Sequence, residues 1–387
     1  MKTKQRHRLA LALLGVGLSV SVWAEPLIVK IGSAAPKTGA IAHLGNDNEN
    51  GALLAIHEIN AKGNLTIAGQ KVVLQLVGED DEADPRMGSI VAQKLVDAGV
   101  VAVVGHLNSG ASIPANRIYS KYGMVQISPS STNPDYTIKS NRTPKGHVSA
   151  YRVVAHDGLQ GVALAKYLTQ VDGIKRVAIL DDGTQYGQGL AEDFARRLVD
   201  SKIKVVSYNQ ATDKTTDFQS YLKEINSLKA QVVFWGGMDD TGARLVRQMR
   251  QRDMNMPLIA GDGVCTSLFV KSSGAAGVGT LCSQSGFLPL SEMKQGDKFS
   301  NNYEQMFEGQ EVQIYAPFAY DAVYAIVEAM KIANSTEREA ITAAMPKVDF
   351  EGVTGRIHFD SRGDIINGPI TIFKVKNQRL EVETIVR

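Results

Sequence analysis

The chain has 387 residues, 44% hydrophobic and 21% charged. That excludes a disordered segment, which could not bury enough apolar surface to offset its chain entropy, and it excludes a polyelectrolyte. At this length two domains of ordinary size are expected, each long enough to bury a core.

The first predicted element is a leader. Lys2, Lys4, Arg6 and Arg8 open the chain, no charge follows from Leu9 to Ala24, and small residues stand at Val22 and Ala24 just before Glu25. This is the pattern of a secretory signal peptide over residues 1–24, cut after Ala24, so a periplasmic location is expected. The 16 uncharged residues fall short of the about 20 needed to span a bilayer, and no later segment comes close. Without the leader, 38 basic side chains face 40 acidic ones, a net charge near −2 instead of +2. Lys and Arg are interleaved with acids, with no basic tract to neutralise a phosphate backbone, so no nucleic-acid partner is expected. Cys265 and Cys282 are an even pair in a chain bound for an oxidising compartment, which points to one disulfide. Two buried thiols are the alternative, because spacing alone does not place the Cβ atoms.

Short β-branched runs then alternate with helical periodicity. Leu27-Ile28-Val29-Lys30-Ile31 reads as a strand; Ala52, Ala55, Ile56 and Ile59 recur at helical spacing until Gly63 supplies a left-handed stop. Val72-Val73-Leu74-Gln75-Leu76 is the next strand. Val91, Leu95 and Ala98 mark a helix before the run 100–104, and Ile113 and Ile118 mark another before Met124-Val125-Gln126-Ile127. The rhythm starts over with strands at 177–180, 203–206 and 232–235, separated by the helical faces of Tyr186, Leu190, Phe194 and Leu198 and of Phe218, Leu222, Ile225 and Leu228. Strands near 258–259 and 279–283, a long helix over 314–332 and a tail of short strands and turns complete the chain. The order βαβα, twice, predicts two doubly wound, mostly parallel sheets with helices on both faces.

In such sheets a ligand lies beyond the carboxyl ends of the strands. Four strand-end loops stand out: 105–112, 128–132, 235–240 and Gly261-Asp262-Gly263. Ser109 and Thr132 bring hydroxyls and amide N–H groups to predicted helix starts, a setting for a carboxylate, though both are also ordinary N-caps. Asp262, flanked by bare backbone, could accept hydrogen bonds from an ammonium group, or could simply occupy a turn. No catalytic or cofactor signature accompanies them. There is no phosphate loop ending in Gly-Lys-Ser/Thr, no His-Glu-x-x-His, no Cys-x-x-Cys and no nucleophile elbow at Ser109, and His106 reads as a strand-end residue. No cofactor or metal is expected, and no enzymatic activity.

At these loops the sequence resembles the periplasmic branched-chain amino-acid-binding proteins, the type I solute receptors of ABC importers. The resemblance covers residues 27–375, through Ile59-Asn60-Ala61-Lys62-Gly63, Val104-Gly105-His106-Leu107, Ile127-Ser128-Pro129, Ser131-Thr132, Gln185-Tyr186-Gly187, Gly189-Leu190 and Gly236-Gly237, in order. It implies an α/β fold of two doubly wound lobes joined by three crossing strands: residues 25–152 with 285–368, and 153–284 with 369–387. It also implies a ligand site. Ser109 and the N–H of Thr132 would hold a carboxylate. The Ser130 carbonyl, the Thr132 hydroxyl and Asp262 would take the ammonium, and Leu44, Leu107, Tyr186, Met238 and Tyr315 would surround the side chain. Met238 and Leu44 replace aromatic residues of the leucine-type receptors, and Asp262 stands where they carry the longer Glu. Asn108 and Ala83 stand where those receptors have a disulfide. The expected partners are an aliphatic L-amino acid and the permease of an ABC importer, with the protein a monomer. The competing readings are a receptor for short amides, which would not need Asp262, and, more remotely, a hydrolase or dehydrogenase on a similar scaffold.

Overall fold

The computed structural model describes residues 25–139, 141–286, 289–366 and 368–386; the expected leader lies outside them. The first sheet is built from β1 (Leu27–Ala35), β2 (Thr66–Ile67), β3 (Gln70–Asp80), β4 (Ala102–Gly105), β5 (Val125–Ser128) and β6 (Ala150–Arg152), in the order β2-β3-β1-β4-β5-β6. Every pair in it is parallel except the hairpin β2–β3. The second contains β7 (Arg176–Asp181), β8 (Lys204–Gln210), β9 (Val232–Gly236), β10 (Leu258–Ala260) and β11 (Leu281–Ser285). A separate hairpin, β12 (Asp349–Glu351) with β13 (Arg356–His358), precedes β14 (Ile370–Lys376) and β15 (Arg379–Val386), which extend the second sheet antiparallel to β15-β14-β11-β10-β9-β7-β8.

Set aside the antiparallel additions and the two sheets share one strand order, with the first strand lying between the second and the third. The repeat legible in the sequence is thus a repeat in space. Each sheet reverses its winding between its first and third strands, and there the helix N-termini part to leave a crevice. Burial follows from the layering. Every residue of β4, β5 and β9 is buried, the continuous apolar run of a strand covered on both faces, whereas the edge strand β8 is half exposed.

The helix Ser109–Tyr119 departs from the expected pattern. Ile113 and Ile118 lie on its flank, and the buried face is Ala111, Ser112, Ala115, Asn116 and Tyr119. A small residue is needed at Ala111 because the helix packs closely against Pro85–Asp97 there; a Cβ on Gly88 would come within 3.0 Å of Ala111.

Three segments carry the chain between the sheets, and they bond to one another. Arg152 N–H donates to Gly363 O (3.0 Å), Ala155 N–H to Ser285 Oγ (2.7 Å) and Gly286 N–H to Pro369 O (3.0 Å). An apolar cluster runs across the gap, joining Ile41, Leu44, Leu107 and Tyr315 beside the first sheet to Tyr186, Leu190 and Met238 beside the second. Cys265 and Cys282 are both buried and form a disulfide, with Cα atoms 5.5 Å apart, that ties the turn after β10 to β11.

Candidate functional site

Every residue singled out for the site lies at a strand's carboxyl end or in the first turn of a helix. Ser109 opens the helix after β4, Ser130 and Thr132 follow β5, Tyr186 lies in the first turn of Gln185–Leu198, Met238 caps Asp239–Gln251, and Asp262 follows β10. Leu107, Asn108, Ser109, Ser130, Tyr186, Met238 and Tyr315 line one small cavity between the lobes, about 10 Å³ in this closed arrangement. Leu44 packs into the same apolar cluster.

At one end of the cavity is a set of hydroxyl and amide groups. Ser109 Oγ accepts from Asn133 N–H (3.2 Å), which leaves its own proton to donate. Thr132 is wholly buried, its hydroxyl makes no well-formed hydrogen bond, and it caps no helix, so the capping alternative does not apply to it. Ser130 Oγ donates to Leu107 O (3.2 Å) and accepts from Asn48 Nδ2 (3.2 Å), which anchors this loop to the one before it. His106, at the end of β4, is buried against Asp81 Oδ2 (2.6 Å) and Tyr119 Oη (3.0 Å), consistent with a strand-end ring whose partners are satisfied.

Next to this set, joined to it where Asp157 N–H donates to Thr132 O (2.8 Å), lie two acids. Asp262 Oδ1 accepts from Tyr186 Oη (2.9 Å) and Gln160 Nε2 (3.1 Å), and Oδ2 from Tyr315 Oη (2.7 Å). Burial pushes its carboxyl above the usual range, and the bonds from Tyr315, Gln160 and Tyr186 pull partly back. Asp157 was not singled out by the sequence. It is fully buried, Oδ1 accepts from the same Gln160 Nε2 (3.3 Å), and Oδ2 has no well-formed partner. Burial, then the neighbouring charge of Asp262, hold Asp157 well above the normal carboxylate range, with the Thr132 hydroxyl acting the other way. Gln160 is itself fixed by Ser283 Oγ on its carbonyl (2.8 Å). The signal that could have found Asp157 was an acid at the first helical position directly after a crossing segment; in the sequence it is indistinguishable from an ordinary helix-start acid.

The glycines beside Asp262 have a different use from the one expected. A Cβ on Gly261 would meet Leu190 Cδ2 at 2.3 Å and Tyr186 Oη at 2.7 Å, and one on Gly263 would meet Met238 Sδ at 2.9 Å. The bare backbone admits Tyr186 and Met238, and the Gly263 N–H donates to Tyr186 Oη (3.0 Å).

Tyr315 is held from the first lobe. Asp47, on the helix Ala42–Lys62, accepts from the backbone N–H groups of Gln313 (2.9 Å), Tyr315 (2.9 Å) and Ala316 (2.7 Å) at the start of Ala316–Ala333. Burial raises Asp47 to about 6 despite these bonds. Asp47→Ala is expected to cost about 1–2 kcal/mol of stability, the usual range for a lost cap, and to weaken ligand binding several-fold by releasing Tyr315. Thermal denaturation and calorimetric titration check the two effects separately.

Direct bonds bridge the lobes. Besides Tyr315 to Asp262, Asn133 Nδ2 donates to Gln185 O (2.6 Å), and His43 Nε2 lies 2.9 Å from Asp239 Oδ2. Among the described residues no cluster of His, Cys, Asp and Glu could hold a metal ion, and no helix is long and apolar enough to cross a membrane.

Two doubly wound lobes with hydroxyl donors and buried acids gathered at their cleft define a receptor for a small solute. The chain belongs to the periplasmic binding protein family, whose profile matches residues 28–379. It is 33% identical over 347 residues to Leu/Ile/Val-binding protein homolog 2 of Brucella abortus (strain 2308), covering 89% of this chain and 90% of that one. It is 29% identical over 376 residues to the leucine-, isoleucine-, valine-, threonine- and alanine-binding protein of Pseudomonas aeruginosa, covering 96% of each. Among solved structures, the leucine-binding protein LivK of Thermotoga maritima matches with a TM-score of 0.83 at 26% identity, over 93% of this chain and 99% of that one. LivJ of Streptococcus pneumoniae in complex with isoleucine matches with a TM-score of 0.81 at 26% identity, with the same coverage. The fold is that of a type I periplasmic binding protein, as the sequence led one to expect.

Proposed function

We propose that the protein captures an aliphatic, branched-chain-type L-amino acid between its lobes in the periplasm, after loss of residues 1–24, and delivers it to the permease of an ABC importer. The observation that carries this reading is the set of polar groups gathered at the cleft: Ser109, Ser130 and Thr132 with Asp157 bonded to Thr132, Gln160 bridging Asp157 to Asp262, and Leu44, Leu107, Met238 and Tyr315 as apolar wall. In this reading Ser109 Oγ and the Thr132 N–H hold the carboxylate. Asp262, the Thr132 hydroxyl and the Ser130 carbonyl hold the ammonium, with Asp157 beside them.

Removing both charges of a zwitterion from water costs several kcal/mol per ion unless each is fully hydrogen-bonded, so the donors and acceptors have to be in place beforehand. Contacts from both lobes make the ligand favour the closed arrangement. The relatives named above carry leucine, isoleucine or valine in their names, in keeping with an aliphatic side chain.

Titration calorimetry and thermal-shift measurements on the chain from Glu25 onward test the proposal. Leucine, isoleucine or valine is expected to bind with micromolar or better affinity, about 8 kcal/mol or more, and to raise the melting point by mass action. Stabilisation by short amides with none by aliphatic amino acids would overturn it.

A further inference from the structure

Arg152, the last residue of β6, is wholly buried, and its guanidinium serves the loop that carries Thr132. Nη1 donates to Ser131 O (2.8 Å) and Asn133 O (3.0 Å), the carbonyls on either side of Thr132. Nη2 donates to Thr137 Oγ1 (2.7 Å), and the group lies 5.3 Å from the centre of the Tyr136 ring. Nε forms an ion pair with Asp364 Oδ1 (2.6 Å), on the chain leading into the third crossing segment.

Ser131 C=O and Thr132 N–H belong to one peptide unit. In a planar trans peptide the two point in opposite directions, so a cation that pins the oxygen from behind aims the N–H forward. That N–H donates to no group among the described residues. The following peptide is pinned too, since Asp157 N–H donates to Thr132 O (2.8 Å).

We propose that Arg152 is a positioning residue for the ligand's carboxylate: it fixes and polarises the Ser131–Thr132 peptide, so that the Thr132 N–H is presented to the anion in a set direction. This rests on the reading that places a carboxylate at Ser109 and Thr132. The planar fork matters as well as the charge. Two carbonyls, one hydroxyl and one carboxylate are reached from three nitrogens in one plane, which the single ammonium of lysine cannot span. Asp364 meets the guanidinium at Nε while the loop meets it at Nη1, so the counter-ion and the loop use different nitrogens. In a buried setting such a charge is only weakly screened.

The test compares L-leucine with L-leucinol, which keeps the side chain and the ammonium but has no carboxylate. Affinities for both are measured on the wild-type protein, Arg152→Met and Arg152→Lys, with circular dichroism and melting curves for each. In Arg152→Met, leucine is expected to bind about 30-fold more weakly, roughly 2 kcal/mol, and leucinol less than about threefold. Arg152→Lys is expected to lie between, since it keeps the charge and loses the fork. A merely structural role would weaken both ligands alike, and that result, or an unchanged preference for leucine, overturns the proposal. Should Arg152→Met fail to fold, Arg152→Lys decides: its preference for leucine over leucinol falls several-fold if the proposal holds and stays at the wild-type value if it does not. Wild-type protein that binds leucine and leucinol equally would instead remove the carboxylate subsite, a failure of the earlier reading that is distinct from a failure of Arg152.

Discussion

Asp262→Asn is expected to weaken leucine binding by about 100-fold, within the 2–5 kcal/mol range for truncating one partner of a buried charge pair, and to leave the ligand-free protein at least as stable as before. The two effects have one cause. Burial raises the Asp262 carboxyl, and burial with the Asp262 charge raises Asp157 further, so the ionised pair is disfavoured in the folded chain. For a carboxyl whose folded value is raised, the stability contribution is complete below the unfolded carboxylate range and is lost as pH climbs through the folded value. Ligand-free protein therefore carries a destabilising slope on going from acid toward neutral pH, and Asp262→Asn reduces it. An ammonium ligand acts the other way. It favours the ionised acids, so binding releases protons and affinity rises with pH across the same range. Calorimetry in two buffers of different ionisation enthalpy reads that release directly. Undiminished leucine affinity in Asp262→Asn would remove the acid from the ammonium site.

The alternation of strands and helices was plain in the sequence because parallel strands covered on both faces need continuous apolar runs such as Val232-Val233-Phe234-Trp235, and the helices between them need one apolar stripe. The candidate loops were chosen by the same logic, since strand ends in such a sheet are where a ligand can reach the backbone. What could not be read was whatever depends on elements brought together from distant parts of the chain. Gln160 bridges Asp157 to Asp262, 102 residues away from it, and His43 meets Asp239 across 196 residues; neither pairing leaves a local pattern. Nothing in the local sequence sets Asp47 apart from other polar residues, yet its carboxylate accepts from a helix start 269 residues further on. Ile113 and Ile118 misled because hydrophobicity was taken as the mark of the buried face. On Ser109–Tyr119 that face mixes small, polar and aromatic residues, and at Ala111, packed on Gly88, close approach rather than apolarity selects the residue. The bare backbone beside Asp262 was legible in the sequence, but the groups that come close to it are the protein's own Tyr186 and Met238.

Removing the disulfide is the other change with a large expected effect. Cys265 and Cys282 are 17 residues apart in sequence, and closing a loop of that size stabilises by about 3 kcal/mol through the unfolded chain. For a lobe of this size the loss corresponds to a fall in melting point of roughly 5–10 °C. The bond also bears on the site, because Cys265 lies three residues past Asp262 and its N–H donates to Asp262 O (2.9 Å). The Asp262 carboxylate, however, is independently held by Tyr186, Gln160 and Tyr315. The double substitution Cys265→Ala with Cys282→Ala should therefore lower the melting point by several degrees while weakening leucine binding only a few-fold. Reductant should reproduce the melting shift in the unmodified protein, since the denatured chain then regains the same freedom. A melting point unaffected by both treatments would mean that the two sulfurs stay unbonded in solution. A loss of affinity as large as that expected for Asp262→Asn would mean that the covalent tie, rather than the three side-chain bonds, aims the acid into the cleft.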